Sequence, residues 1–293
     1  MDVDSSALEN AAARRNVGLL KEFMRGNRFL KKHLAAAFVV VLLLSAAAIA
    51  QQRLLVIGGG KRPADAMTKF VEWSGGQRSN ILVITWASEV PEENFEGLKR
   101  DLTAGGAATV THAPMRPLDA EKRAAFIDQL STATGVFFSG GDQNRIMGVL
   151  ADADLLKTIR ERYSRGVPFG GTSAGAAAMS DPMMTGDADL KLLDGKQVGT
   201  RPGIGFIPKV MFDQHFLVRQ RHNRLFGWLM LNRDFLGVGI DEDTAVLIED
   251  NRKMTVAGPT QVMVVDSKKI KGGMAVYFLK AGEKFDLAKR KLN

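Results

Sequence analysis

The chain has 293 residues, of which 45% are hydrophobic and 25% are charged, an ordinary globular composition that allows one large domain or two small ones. It contains no cysteine, which excludes disulfides, thiolate metal sites and a cysteine nucleophile. The formal net charge of +8 is accompanied by no nucleic-acid-binding motif, so we expect no nucleic-acid partner.

Residues 1–50 have the pattern of a leader. Basic residues at 25–32 precede an apolar run at 34–50, which ends in the small-residue sequence Ala48-Ile49-Ala50. This order is typical of a cleaved signal peptide. We therefore expect a secreted or periplasmic protein that begins near Gln51. The alternative is an uncleaved leader that anchors the protein to a membrane, although the apolar run is short for a membrane span.

After the leader, short apolar runs alternate with helical patterns, which predicts a mostly parallel sheet flanked by helices. The runs predict strands at 53–57, 80–85, 108–111 and 135–139, and helices at 64–74, 91–104, 119–131 and 144–165. Glycine-rich turns follow at 58–60, 140–141 and 170–171. Because ligands bind beyond the carboxyl ends of parallel strands, we expect these turns to meet on one rim.

The C-terminal part has a different pattern. Residues 196–213 are predicted as irregular or β, 214–233 as a helix, and 236–242 as a strand with an acidic tip. Short runs then predict extra antiparallel strands at the edge of the sheet, at 245–249, 254–256, 261–266 and 274–279. No repeat or linker interrupts the chain after the leader, so we predict a single catalytic α/β domain over 51–293.

The sequence from Gly171 to Gly175 matches G-x-S-x-G and lies where a strand should turn into a helix. This is the setting of a nucleophile elbow, although the same five residues can also form a plain tight turn. A serine hydroxyl needs a base, which is usually histidine. His215 and His222 follow Ser173, whereas His112 precedes it.

A carboxylate should orient the imidazole. Glu242 lies at a predicted strand tip, and of Glu242 and its neighbours Asp241 and Asp243 only one needs to face the site. We prefer the order Ser173, His215, Glu242. The α/β-hydrolase order would instead place the acid between serine and histidine, at Asp181, Asp187, Asp189, Asp194 or Asp213.

The same geometry predicts an oxyanion hole. The amide of Ala174 follows the nucleophile, and a second amide should come from Gly140 or Gly141 at the end of the adjacent strand. The triglycine at 58–60 is not a dinucleotide fingerprint, because residue 63 is proline, and we interpret it as a close approach of the backbone to the site.

Four motifs together resemble cyanophycinase, a serine exopeptidase of the peptidase E (S51) family. They are GTSAGA at 171–176, GGDQ at 140–143, DQH at 213–215 and GIDEDTA at 239–245, and the resemblance runs from about 54 to 266. It implies a class I glutamine-amidotransferase-like (flavodoxin-like) α/β fold and catalysis without metal or cofactor. The family's nucleophile, base and acid fall on Ser173, His215 and Glu242.

The resemblance also implies a substrate. Cyanophycin is a poly-aspartate backbone with arginine attached to each side-chain carboxyl, and the family releases β-aspartyl-arginine dipeptides from it. A pocket for this zwitterion needs both an acceptor and a cation. The family's pocket residues correspond to Gln143, Asp213, Gln214, Arg219, Arg221 and Arg224. The alternative for the arginines is a basic surface of a helix.

We therefore expect an exported serine exopeptidase that hydrolyses cyanophycin through an acyl-enzyme. The alternatives are a related peptidase acting on small aspartyl or isoaspartyl peptides, and an inactive peptide-binding homologue. Contact with a membrane is expected only through an uncleaved leader. Basic and apolar edge elements favour a homodimer.

Overall fold

The computed structural model describes residues 51–186 and 193–293 of the chain. The predicted leader at 1–50 and the candidate acids Asp187 and Asp189 lie outside the described residues. Within the described ranges, no helix has the length and apolar character needed to cross a membrane.

The helices and strands alternate over the first half of the described chain, as the sequence predicts. The strands are β1 (Arg53–Ile57), β2 (Asn80–Ile84), β3 (Thr109–His112), β4 (Gly135–Phe138), β5 (Phe169–Thr172), β6 (Met183–Thr185), β7 (Gly199–Arg201), β8 (Val210–Gln214), β9 (Leu236–Ile240), β10 (Ala245–Glu249), β11 (Lys253–Ala257), β12 (Val262–Asp266), β13 (Ala275–Leu279), β14 (Lys284–Asp286) and β15 (Lys291–Leu292). The α-helices are α1 (Ala64–Trp73), α2 (Pro91–Ala104), α3 (Ala120–Thr132), α4 (Gln143–Val149), α5 (Ala153–Ser164), α6 (Ala174–Ala177) and α7 (His222–Leu231).

The main sheet has the order β15-β14-β11-β10-β1-β5-β4-β2-β3. Its half from β1 to β3 is parallel, whereas β10, β11, β14 and β15 are antiparallel to their neighbours. The predicted mixed α/β fold, with a mostly parallel sheet and added antiparallel strands, is therefore confirmed. The carboxyl ends of β5, β4, β2 and β3 share one edge, where such folds place their sites.

The central strands of the main sheet, β1, β5, β4 and β2, are buried on both faces. Leu54 and Val56 of β1 pack in the cluster that contains residues of α3, α4 and α5, whereas Leu55 and Ile57 pack with α1 and α2. This is the alternation expected of a strand covered by helices on both sides.

A second sheet of order β13-β12-β9-β8 was not predicted. The runs predicted as an edge of the main sheet divide: β10 and β11 join that sheet, whereas β12 and β13 pair beside β9 instead. Phe212 of β8 and Val238 of β9 belong to the same apolar cluster as Leu54 and Phe169 of the main sheet. The two sheets therefore share a core.

Two of the predicted helices are shorter than expected. The helix predicted at 144–165 divides into α4 and α5, because the Asp152 carboxylate accepts hydrogen bonds from the Asp154 and Leu155 amides and begins a new helix. The helix predicted at 214–233 begins only at His222, since Gln214 ends strand β8.

Candidate active site

Ser173 lies at a strained bend between β5 and α6. Its φ of 52° and ψ of −114° are unusual for a residue with a side chain, and such strain is concentrated at functional sites. The helix after the bend packs so closely that a Cβ on Gly175 would lie 2.5 Å from the carbonyl oxygen of Phe138. The G-x-S-x-G spacing thus leaves the serine half-buried at the bend, while a residue without a side chain lets the helix approach β4.

Strand register brings His215 to Ser173. Ile57 of β1 pairs with Thr172, and the Ser173 amide donates to the Ile57 carbonyl at 3.0 Å. In the second sheet His215 directly follows β8, and its amide donates to the Gly58 carbonyl at 2.7 Å. The ends of two strands from different sheets are therefore joined through the turn that follows β1.

The side chains of Ser173, His215 and Glu242 form a hydrogen-bonded chain. Ser173 Oγ lies 2.7 Å from His215 Nε2, and His215 Nδ1 lies 2.5 Å from Glu242 Oε1. With the proton on Nδ1 donated to the carboxylate, Nε2 is free to accept from the serine hydroxyl. The arrangement can generate a nucleophile at neutral pH.

The three neighbouring acids have separate partners. Glu242 binds the imidazole, the buried Asp241 carboxylate accepts from the Leu217 and Val218 amides at 3.0 and 3.1 Å, and Asp243 accepts from the Lys61 amide at 2.5 Å. Asp241 thereby holds the loop after His215. The sequence offered no signal for this role, since adjacent carboxylates look alike.

The other candidates for base and acid lie in different contacts. His112 Nε2 lies 2.7 Å from Thr85 Oγ1, with the ring stacked on Phe95. Among the described acids of the alternative order, Asp181 accepts from the Gly203 amide, Asp194 accepts from the Lys196 amide, and Asp213 pairs with Arg224. The remaining candidate histidine, His222, begins α7.

The triglycine turn at 58–60 packs directly against the imidazole of His215. A Cβ built on Gly59 would lie 2.2 Å from His215 Cε1, so a side chain at residue 59 cannot coexist with this ring position. Gly59 also has a φ of 122°, which disfavours any other residue. The predicted close approach of this turn to the site is therefore observed.

Burial lowers the pKa of His215, and the cations of Arg219 and Arg221 lower it further. The hydrogen bond and the negative charge of Glu242 act in the opposite direction without overcoming burial. The imidazole is consequently neutral at pH 7 and able to accept a proton.

The two residues predicted to supply oxyanion amides lie at the ends of neighbouring strands. Ala174 begins α6 directly after Ser173, and Gly141 follows β4. The end of β4 is close to the nucleophile, since a Cβ on Gly140 would lie 3.3 Å from Ser173 Cβ. Oxyanion binding by Gly141 and Ala174 stays a prediction.

Most of the predicted pocket residues hold the protein itself together. The 2%-exposed Arg224 forms a two-point ion pair with Asp213 and donates to the Gly186 carbonyl. The buried Arg221 donates to the backbone carbonyl and the side chain of Gln214.

Gln143 and Arg219 lie in different surroundings. Gln143 Nε2 donates to the Met184 carbonyl at 2.9 Å, so it supports β6. Arg219 is exposed, and its amide donates to the His215 carbonyl at 3.0 Å. Of the predicted arginines, Arg219 is thus the exposed cation beside the imidazole. A substrate-binding role for these residues stays a prediction.

No group of three or more histidine or acidic side chains in residues 51–186 and 193–293 is arranged to hold a metal ion.

Comparison with known proteins gives consistent matches. The model of Peptidase family S51 matches residues 54–256. The cyanophycinase of Geminocystis herdmanii is 33% identical over 205 residues, covering 70% of this chain and 75% of the relative. That of Trichormus variabilis is 34% identical over 203 residues, covering 69% and 68%. The crystal structure of a peptidase from an acI-B1 actinobacterium aligns with a TM-score of 0.61 at 23% identity, covering 81% of this chain and 98% of that one, which supports the fold.

Proposed function

Because the chain belongs to peptidase family S51, and is therefore a serine-type peptidase, we propose that it hydrolyses cyanophycin to β-aspartyl-arginine dipeptides. The similarity to the two cyanophycinases supports this substrate. The observation that carries the chemistry is the continuous hydrogen-bonded chain from Ser173 through His215 to Glu242.

In the proposed mechanism, Ser173 Oγ attacks the aspartyl carbonyl while His215 Nε2 takes the hydroxyl proton. Glu242 stabilises the imidazolium that forms. The amides of Gly141 and Ala174 stabilise the oxyanion. His215 then protonates the leaving amine, which breaks the amide bond and leaves an acyl-enzyme. Water, deprotonated by His215, hydrolyses the ester and restores the serine hydroxyl.

We propose that Arg219 binds the free carboxylate of the substrate unit, since it is the exposed arginine beside the imidazole. Arg221 and Arg224 act as positioning residues, because one binds Gln214 and the other binds Asp213. Asp213 and Gln214 directly precede His215, so the two arginines fix the end of β8, which carries the base.

Mass spectrometry of the products tests the function. Incubation of purified enzyme with cyanophycin should release β-aspartyl-arginine, and chelators should not change the rate. Turnover of small aspartyl or isoaspartyl peptides without turnover of polymer would favour the related peptidase. Tight binding of polymer with no product would favour a binding protein.

The rate should depend on pH through His215. Only the neutral imidazole accepts the serine proton, and its pKa is lowered by burial and by Arg219. We expect kcat/KM to fall with decreasing pH, with the acidic limb below the ordinary histidine value of 6.5. Arg219→Gln removes a cation that disfavours imidazolium, so its limb should move to higher pH. An unmoved limb in this variant would contradict the assignment, and Arg165→Gln is the control.

We further propose that the enzyme is exported. The proposal is supported by the basic and then apolar sequence at 25–50, with Ala48-Ile49-Ala50 at its end. N-terminal sequencing of protein from the medium or periplasm should begin near Gln51. Recovery of the intact leader in the membrane fraction would favour an anchor instead.

A further inference from the structure

Two neighbouring cavities are lined by residues that follow β2, β3 and β4. The smaller, of about 300 Å³, is lined by Gly141 and Glu89, and the larger, of about 510 Å³, is lined by Arg116 and Arg123. Arg145 lines both cavities, so they are neighbours and together make one candidate binding region, which includes the predicted oxyanion glycine, Gly141. We call it the arginine groove and define it by Glu89, Arg116, Arg123, Gly141, Arg145 and Asp152.

The order of strands gives the groove its direction. Ser173 follows β5, and Gly141 and Arg145 follow β4, the next strand in the sheet. Glu89 follows β2, and Arg116 follows β3 at the edge. Strand spacings of about 4.8 Å place β3 about 14 Å from β5. This distance corresponds to about four residues of extended polypeptide.

The charges of the groove occur as pairs of opposite sign. Arg145 pairs with Glu89, and Arg123 pairs with Asp152 at 2.6 Å. The Arg145 guanidinium lowers the pKa of Glu89, and Arg123 lowers that of Asp152 to about 2, so both acids are ionised at neutral pH. The side chain of Glu89 is 77% exposed, so a ligand can reach it.

Arg116, which lines the larger cavity, is bound to the loop after β2, where Ser88 lines the smaller cavity. Its Nε donates to the Trp86 carbonyl at 2.8 Å and its Nη2 to the Ser88 carbonyl at 3.3 Å. The larger cavity is also lined by the apolar residues Pro117, Leu118, Val149 and Leu155. A ligand that suits this lining has apolar methylene groups that end in charged groups of both signs.

We propose that the arginine groove binds the cyanophycin units that flank the scissile bond, in addition to the unit held at Ser173. Each such unit carries one guanidinium and one carboxylate. A groove of a single sign would repel one of them, whereas the pairs Arg145–Glu89 and Arg123–Asp152 offer a partner to each. This inference rests on the proposed function and adds subsites that make the enzyme favour long chains.

Kinetics on chains of defined length test the groove. For the wild type, we expect kcat/KM to rise about tenfold from two units to six, through a lower KM. The double variant Arg123→Gln/Arg145→Gln should lose most of this gain, and Glu89→Gln should lose part of it. The matched control is Arg100→Gln/Arg165→Gln, which removes two exposed charges outside the groove and should keep the gain. Thermal melting of each variant reports whether it is folded.

A binding readout separates the groove from the chemistry. In a Ser173→Ala background, the Kd for six units should rise about tenfold on changing Arg123 and Arg145. The inference is overturned if the groove variants keep the full length gain, if the control loses it equally, or if the wild type shows none. Failure of the proposed function is a different result, namely no product from any chain. In that case the Kd measurement alone decides whether the groove binds polymer.

Discussion

Replacing Ser173 with alanine should lower kcat for cyanophycin by about 10⁴-fold or more, because it removes the hydroxyl that we propose as the nucleophile. The variant should fold normally, since removal of one hydroxyl leaves the elbow and its packing intact. Product release measured by mass spectrometry checks the result. The matched control is Ser164→Ala, which changes a serine at the end of α5 and should retain wild-type turnover.

The partners of Ser173 should act with it as a unit. Adding His215→Ala to Ser173→Ala should cost little more than either change alone, because every proton that His215 transfers in the proposed mechanism belongs to the reaction that Ser173 begins. Undiminished release by the serine variant would remove Ser173 from the mechanism. Losses that multiply in the double variant would assign His215 a separate task.

Asp213→Asn should be the most damaging of the predicted changes to stability. It leaves the guanidinium of Arg224 buried without its counter-charge, which typically costs about 3–5 kcal/mol. Urea denaturation measures the loss. As the control, Glu72→Gln breaks an exposed pair with Lys69 and should cost about 0–1 kcal/mol. A loss below about 1 kcal/mol for Asp213→Asn would contradict the account.

An apolar replacement distinguishes charge from packing. In Asp213→Leu/Arg224→Met the buried ion pair is removed as a whole and neither partner is left unpaired, so stability should return toward that of the wild type. Turnover should stay impaired, because Asp213 and Gln214 fix the end of the strand that carries His215. This split between stability and activity is the signature of a positioning pair.

Much of the site could be predicted because its parts follow strand ends. The glycine turns and the serine elbow follow apolar runs that are parallel strands of the main sheet, and parallel topology places their ends on one rim. Glu242 also follows an apolar run, but that strand, β9, belongs to the second sheet. The sequence could not separate Asp241 from Glu242, since both are carboxylates next to one strand. Only the path of the turn decides that one binds two amides and the other the imidazole.

The sequence pattern also could not predict which of the clustered arginines are buried. Arg219, Arg221 and Arg224 look equivalent as a basic cluster, yet the first is exposed and the others are enclosed by long-range packing. The break at Asp152 was readable in principle, because aspartate is a preferred N-cap residue. The second sheet could not be predicted from the sequence, since an apolar run such as 261–266 does not specify which strand it pairs with.

The nucleophile projects from the main sheet, whereas the base and the acid follow β8 and β9 of the second. The geometry of the site thus depends on how the two sheets pack against each other in their shared core. A changed apolar contact between the two sheets, far from any reacting atom, would move the Ser173 hydroxyl relative to the His215 imidazole. The protein would then lose turnover while it stayed folded. Substitutions in the apolar contact between the two sheets should therefore change turnover, and a search for faster variants should include these positions as well as the pocket.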